Sequence, residues 1–412
     1  MTSKPINQCQ VCHSKRLDSI LFLGYLPPVN SMIPIGAPTS EQPSYPLELL
    51  RCIDCGLVQI GLEISQEILF PESYPYLSGT TSILRNNFAD LENESSKLLN
   101  LQKEKLVIDI GSNDGTLLFN FYNNGYQVLG IEPSQAADVA NRNGIRTLKS
   151  YFNKEIAKEI VNKYSKSQLV TAANVFAHIS DIHSVLDGVL ELLDSDGVFI
   201  TESHYLLDLI NTVQYDTIYH EHLRYYDLHS LSRLLNSHGL EIFHAKKIPT
   251  HGGSIRVYAA RKGQKKISQE VKEYLDIETL KGLASGIGLK DFSSRVRSTK
   301  WELNKLLSEL KIGGAKIYGV GAPSRASTLV SYVGLDDGIV DCVVEVKGSH
   351  KIGKYMPGTR IPVVEEGAIF EKQPEYALIL SWHIADELIP ILKKKGYKGK
   401  FIIPLPSPRI VN

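Results

Sequence analysis

The stretch that most constrains this chain is residues 106–118, LVIDIGSNDGTLL. Leu106, Val107, Ile108 and Ile110 form an apolar run that breaks into Gly111-Ser112-Asn113-Asp114-Gly115, and a helical pattern follows. This predicts a buried strand, a tight glycine turn and a helix start, the opening unit of a nucleotide-binding α/β sheet. Glycine lets the backbone approach a ligand where a Cβ would collide. Glu132 lies 21 residues beyond Gly111, at the end of a second apolar run, Val128-Leu129-Gly130-Ile131. An acidic side chain there accepts hydrogen bonds from ribose hydroxyls.

A dinucleotide fingerprint needs three glycines and a helix N-terminus free to meet a pyrophosphate. Here the third glycine is missing, and Asp109 and Asp114 flank the turn. Two carboxylates repel phosphate but suit a ligand carrying an ammonium and a sulfonium. The turn is therefore assigned to S-adenosylmethionine (SAM) over NAD, with Asp109, Gly111, Ser112, Asn113, Asp114, Gly115 and Glu132 as contacts. The alternative is a glycine turn with no ligand.

At 412 residues the chain has room for two or three domains with full cores. Lys plus Arg equals Asp plus Glu at 45 each, so no global field draws it to nucleic acid or an anionic membrane. No apolar run is long enough to span a bilayer. The opening MTSKPINQCQVC lacks the apolar core of a signal peptide, which favours the cytoplasm. There are no low-complexity segments or internal repeats.

Four of the five cysteines form two CxxC pairs, Cys9/Cys12 and Cys52/Cys55. In a reducing compartment this is a tetrahedral thiolate zinc site, and Gly56 suits the turn of a zinc knuckle. With all four positions filled, none is left for water, so the metal is structural. Cys342, in a strand-like run, reads as an inert core thiol.

Residues 1–70 thus form a small module whose middle (Pro27, Pro28, Pro34, Pro38, Pro43, Pro46) is too proline-rich for regular helix. With so little core it needs its metal to fold. A loop with Tyr74 and Tyr76 leads into an amphipathic segment, 82–101. Strands at 106–110, 127–131, 168–173 and 197–202 alternate with helical patterns at 116–124, 134–142, 154–164 and 182–193. This reads as a doubly wound parallel sheet occupying 71–275. Ligands in such folds sit beyond the carboxyl ends of the strands, which sets Asn174 to face the donor and His178 the substrate.

Residues 276–310 look helical, with Phe292, Val296, Leu303, Leu306, Leu307 and Leu310 as an apolar stripe. A second strand–turn–helix begins at Lys316, where Gly319 and Gly321 precede Ser324, Arg325, Ser327 and Thr328. Hydroxyls and a guanidinium at a helix start make an anion site, the electrostatic opposite of the first turn; an ordinary α/β turn is the alternative. Strands near 340–345, 376–380 and 400–403 complete a smaller α/β domain, 276–412. Its loop 351–358, with Lys351, Lys354 and Tyr355, is a further candidate for phosphate contact.

Nine of the twelve histidines fall between residues 178 and 251, densest in Tyr219-His220-Glu221-His222-Leu223-Arg224-Tyr225-Tyr226. A metal site and a satisfied polar core are the competing readings, but HExxH spacing is absent. Acid–base chemistry fits better, since histidine titrates near neutrality and a neighbouring carboxylate orients it. Phenols can donate to a developing enolate oxygen. Beside a methyl donor, such a set suits removal of a proton next to a carbonyl and attack of the resulting carbon on the methyl group. An O-methyltransferase needs only a base for a hydroxyl.

A four-cysteine module, IDIGSNDGTLL, YHEHLRYY, HGGSIRVYAA (251–260) and a last domain with YGVGAPSRAST and KYMPGTRIP follow one another across essentially the whole chain. In this order they resemble the sugar C-methyltransferases of deoxysugar biosynthesis, which act on nucleotide-linked 4-keto-6-deoxy sugars. The resemblance implies a class I methyltransferase Rossmann-like sheet between a zinc-binding module and a C-terminal Rossmann-like domain, with the nucleotide sugar lying between the last two. It implies that His222 takes the proton beside the ketone and that Glu221, Tyr219, Tyr76 and His178 assist, Tyr74 being the lesser candidate for the upstream tyrosine. Ser324, Arg325, Lys351, Lys354 and Tyr355 would hold the nucleotide, with Cys9, Cys12, Cys52 and Cys55 on structural zinc. One departure stands out: Glu345-Val346-Lys347-Gly348-Ser349-His350 lacks the Asp-x-x-Pro run of many members, which points to a different sugar or nucleotide.

The partner expected is a small-molecule nucleotide sugar, with no nucleic acid and no membrane, for a chain that is monomeric or homodimeric. The other readings are an O- or N-methyltransferase, a scaffold that binds SAM or a sugar nucleotide without chemistry, and an NAD enzyme using the second glycine turn.

Overall fold

The structure is a computed structural model that describes residues 2–70 and 77–412. The expected tyrosines Tyr74 and Tyr76 lie outside the described residues.

The central sheet has seven strands in the order Leu240–Ile248, Ser254–Arg261, Leu193–His204, Ser167–Ala173, Leu106–Ile110, Gln127–Ile131, Thr147–Leu148. The last five run parallel; four of them are the strands that the apolar runs predicted, and Thr147–Leu148 is an additional edge strand. Ser254–Arg261 pairs antiparallel with both of its neighbours, so the sheet is mixed at one edge rather than wholly parallel. This is the class I methyltransferase arrangement. Its cause is local: Leu240–Ile248 returns through the short Thr250–Gly252 turn, too short for a parallel crossover.

One face of this sheet is covered by the helix Ser82–Leu99, whose Leu84, Phe88 and Leu91 pack with Val107, Leu117, Phe121 and Tyr258. The other face belongs to a larger apolar cluster. That cluster also takes in Leu49 and Leu57 from the N-terminal module and Val320, Leu329 and Ile379 from the C-terminal domain. The three parts therefore share one core.

The N-terminal module carries a four-stranded sheet, ordered Arg224–Tyr225, Val58–Ile60, Tyr45–Cys52, Leu17–Leu26. Its edge strand comes from the YHEHLRYY segment, more than 160 residues away in sequence (224 − 60 = 164). The helical stretch expected over 276–310 is two helices, Gln269–Leu280 and Ile287–Ile312, broken where Gly282 and Gly286 take positive φ (67° and 80°). The first crosses the expected boundary at 275/276. Its Glu278 accepts from the Tyr205 hydroxyl (2.7 Å), the Leu228 amide (2.8 Å) and His229 Nδ1 (2.7 Å), which bolts it to the central domain.

The C-terminal sheet has six strands, Val363–Glu365, Cys342–Glu345, Ile317–Val320, Tyr376–Ile379, Lys400–Ile403 and Arg409–Val411, with only the last antiparallel. Cys342 is buried in it, as expected of a core thiol.

Candidate active site

A cavity of about 680 Å³ opens where the carboxyl ends of the central strands meet the C-terminal domain. Its first wall is the glycine turn. Gly111 sits at φ 70° and donates to the Ile131 carbonyl (2.8 Å). A Cβ there would fall 2.2 Å from Val175 Cγ2, so only glycine fits. Glu132 locks the same turn: one carboxylate oxygen accepts from the Asn113 amide (3.0 Å), the other from the Ser134 amide (2.9 Å).

Gly111, Asn113, Glu132 and Asn174 line the cavity; Asp109, Ser112, Asp114 and Gly115 do not. Asp109 is buried within its strand against Thr171 Oγ1 (2.6 Å). Burial, with the Glu132 and Glu202 charges, pushes its carboxyl up to about 7. Asp114 accepts from the Gly79 amide (2.9 Å) and Thr116 Oγ1 (2.6 Å). The acid that faces the ligand space is thus Glu132, and the carboxylates flanking the turn are occupied in building it.

The second wall is the histidine cluster. Tyr219-His220-Glu221-His222 is a tight turn closed by the His222 amide on the Tyr219 carbonyl (2.9 Å). His220 turns outward to the Pro46 carbonyl of the N-terminal module (3.3 Å), while His222 lines the cavity with Tyr219 and Glu221. The Tyr219 ring lies over His222 at 4.1 Å, and His178 and His204 meet it edge-on at 4.8 and 4.9 Å. His251, at φ 57°, follows at 5.3 Å from His204.

His222 Nδ1–H donates to the Thr217 carbonyl (2.8 Å), which leaves the Nε2 lone pair as the basic position. Burial, with the neighbouring imidazoles and Arg325, holds His222 and His204 well below the ordinary histidine range. His178 and His251 are lowered to about 4, chiefly by burial. These rings are neutral at pH 7.

The third wall comes from the C-terminal domain, through Pro323, Ser324, Arg325 and His383. The anion site expected at this helix start takes a different form. Arg325 is buried and grips Asp216 with two hydrogen bonds (2.7 and 2.8 Å), and Trp382 Nε1 adds a third to the same carboxylate (2.7 Å). The Ser327 hydroxyl goes to the Val29 carbonyl (3.0 Å). Charge and hydroxyl that the local pattern offers to a ligand are consumed in joining the domains. Lys351 Nζ donates to the Ala322 carbonyl (2.5 Å), and Lys354 and Tyr355 pair with Ile33 and Pro34 of the N-terminal module, off the cavity.

Sequence reasoning did not single out His204, His251 or His383. The concentration of histidines between 178 and 251 contained the signal for the first two; His383 had none.

Away from the cavity, the four Sγ atoms of Cys9, Cys12, Cys52 and Cys55 lie within 4.8 Å of one another, with two pairs at 3.4 and 3.5 Å. Tetrahedral zinc thiolate needs S–S edges of about 3.8 Å. The set fits zinc and leaves no open position.

Over 413 residues, 99% of this chain and 98% of its relative, the chain is 32% identical to the C-methyltransferase NovU of Streptomyces niveus. The chain belongs to the C-methyltransferase family. A C-methyltransferase C-terminal domain matches residues 249–406, a methyltransferase domain 83–245, and a domain described as zinc binding 9–70. This C-methyltransferase is SAM-dependent, and its N-terminal zinc-binding domain carries the four-cysteine cluster. Likeness to solved structures is looser. Magnesium protoporphyrin IX methyltransferase ChlM from Synechocystis PCC 6803 is 14% identical, covering 44% of this chain and 85% of its own, at TM-score 0.34. The plantazolicin methyltransferase BpumL is 12% identical, covering 48% and 93%, at TM-score 0.38. No helix among the described residues is long and apolar enough to cross a membrane.

Proposed function

We propose that this C-methyltransferase methylates the carbon next to the ketone of an NDP-4-keto-6-deoxy sugar, in the cytoplasm. The observation that carries the reading is His222, a neutral imidazole with its tautomer set by Thr217, between the donor wall and the C-terminal domain. In this reading Nε2 removes the hydrogen beside the ketone. The C–H bond breaks, its electron pair moves into an enolate, and the enolate carbon bonds to the incoming methyl. SAM bound in the space lined by Gly111, Asn113, Glu132 and Asn174 would supply that methyl as an electrophile, its S–CH3 bond breaking with the electron pair returning to sulfur, so that S-adenosylhomocysteine leaves.

A buried imidazole is a weak base, so the enolate must be stabilised as it forms. Tyr219, stacked on His222, is assigned that donation. Among the described residues His178 Nδ1 is buried with no hydrogen-bond partner, while its ring N–H is turned to the Glu221 carbonyl. This leaves an acceptor for a sugar hydroxyl. Tyr76 is retained as a further substrate contact, and of the residues expected on the nucleotide side Ser324 is retained, since it opens the Ser324–Val333 helix at the cavity.

The test is hydrogen exchange in heavy water. Wild-type enzyme should wash out the α-hydrogen of the keto sugar before methyl transfer. His222→Ala should lose washout and methylation together, by about 10²–10⁴-fold. Methylation that survives this substitution, or NMR that locates the new methyl on oxygen, overturns the reading.

A further inference from the structure

Glu221 directly precedes the base in the chain and lines the cavity, and its side chain is held from another part of the chain. Asn30, in the proline-rich middle of the N-terminal module, donates from Nδ2 to Glu221 Oε1 (2.9 Å). The Oδ1 of the same amide accepts from the Ser324 hydroxyl (3.3 Å). Glu221 and Ser324 belong to opposite walls of the cavity, whereas Asn30 does not line it. The amide thus bridges the two walls from behind.

Its backbone is pinned. Pro27 and Pro28 restrict the approach, the Ser31 amide and hydroxyl both bond the Pro28 carbonyl (3.0 and 2.7 Å), and Ser327 holds the Val29 carbonyl (3.0 Å). The turn carrying Glu221 is clamped to the same module at two further points. His220 reaches Pro46, and Arg224 and Tyr225 pair with Gln59 and Val58.

From this geometry we infer that Asn30 is a positioning residue for proton abstraction: it fixes the Glu221 carboxylate at the cavity wall, next in the chain to His222. The inference rests on the proposed C-methylation. An amide N–H donated to a carboxylate favours the charged form. A charged neighbour, in turn, offsets the imidazolium that forms when a buried histidine takes a proton. Among the described residues, the titratable groups facing Glu221 are Tyr219, His220 and His222 of its own turn, His178, Glu63 across a small cleft, and Lys351 of the C-terminal domain. Lys351 works in the same sense as Asn30, and Glu63 against it. The proline-rich segment of the zinc module thereby becomes part of the catalytic apparatus as well as a fold element.

The decisive comparison uses full-length, zinc-loaded enzyme and α-hydrogen exchange of an NDP-4-keto-6-deoxy sugar in heavy water, measured across pH. Asn30→Asp is isosteric and keeps an acceptor for Ser324, but it sets a second carboxylate against Glu221. Its exchange rate at pH 7 should fall about 10–100-fold, and the acidic limb of its profile should move up by about one pH unit or more. Asn30→Ala should lose rate to a similar extent. SAM affinity should stay within about twofold in both, because the Glu132 wall is untouched. If Asn30→Ala does not fold, the isosteric variant decides alone. Exchange at the wild-type rate, or a loss uniform at every pH with the limb unmoved, overturns the role of Asn30. Failure of the wild type to exchange overturns the C-methylation reading itself.

Discussion

The two glycine turns of this enzyme are built alike and used differently. In the first, Gly111 (φ 70°) donates to the last carbonyl of the neighbouring strand at 2.8 Å, and Glu132 beyond that strand accepts from the turn amide of Asn113. In the second, Gly321 (φ 80°) donates to the Val344 carbonyl at 2.9 Å, and Glu345 accepts from the Ala322 amide at 2.8 Å. Backbone course, glycine and acid correspond. Yet Glu132 faces open ligand space and Glu345 does not, while the helix after the second turn spends its guanidinium on Asp216. A strand–glycine–helix unit therefore sets a backbone and an acid. What stands opposite decides whether the unit binds a ligand or joins two domains.

The largest effect should come from breaking the joint. Asp216→Ala strands a buried guanidinium and the Trp382 N–H, and should lower the unfolding free energy by about 3–5 kcal/mol in urea titration. Unchanged stability would mean that the Arg325 charge is available to a ligand, as its local sequence suggests, and the contrast between the turns would disappear.

A smaller effect sharpens the contrast from the other side. Glu132→Ala should weaken SAM binding about 10–100-fold by titration calorimetry, the scale of a lost hydrogen bond to a charged group. Glu345→Ala, at the matching position, should leave SAM affinity unchanged. Equal losses in the two variants would erase the distinction.

The smallest effect concerns the space between the turns. His178 and His251 are lowered to about 4 and His383 to about 3, by burial first, and His220 behind them to about 4. Histidines whose folded-state pKa lies below 6.5 bind protons more readily when unfolded, so stability is complete above pH 6.5 and declines as pH falls toward 4. Asp109 and Asp227, raised to about 7 and about 6, act in the opposite sense over the same window. With His204 and His222, also held low, six groups stand against two, so the ligand-free protein loses net stability as pH falls through this window. Stability that is flat or rising between pH 6.5 and 5.5, measured by urea unfolding, would show that the histidine wall is hydrated.

Much of the fold was legible in residue order because it depends on near neighbours. The apolar runs at 106–110 and 127–131 became strands with those bounds, and the two CxxC pairs converge on one tetrahedral set. The antiparallel strand Ser254–Arg261 was not anticipated, since nothing in its own pattern reports the direction of its neighbours. The site divides the same way. Gly111, Asn113 and Glu132 were readable because strand period and turn chemistry orient them. Asp109 and Asp114 also carry carboxyl groups, but their partners, Thr171 and Gly79, come from other segments.

By itself, then, the sequence determined the strand–turn–helix units, the four thiolates and the concentration of imidazoles, all consequences of short-range geometry and composition. Only the tertiary structure decided which polar groups remain available. Arg325 meets Asp216 from 109 residues away and Asn30 meets Glu221 from 191. A buried charge or amide takes whichever partner packing brings to it, because leaving it unpaired costs more than any preference written in its neighbours.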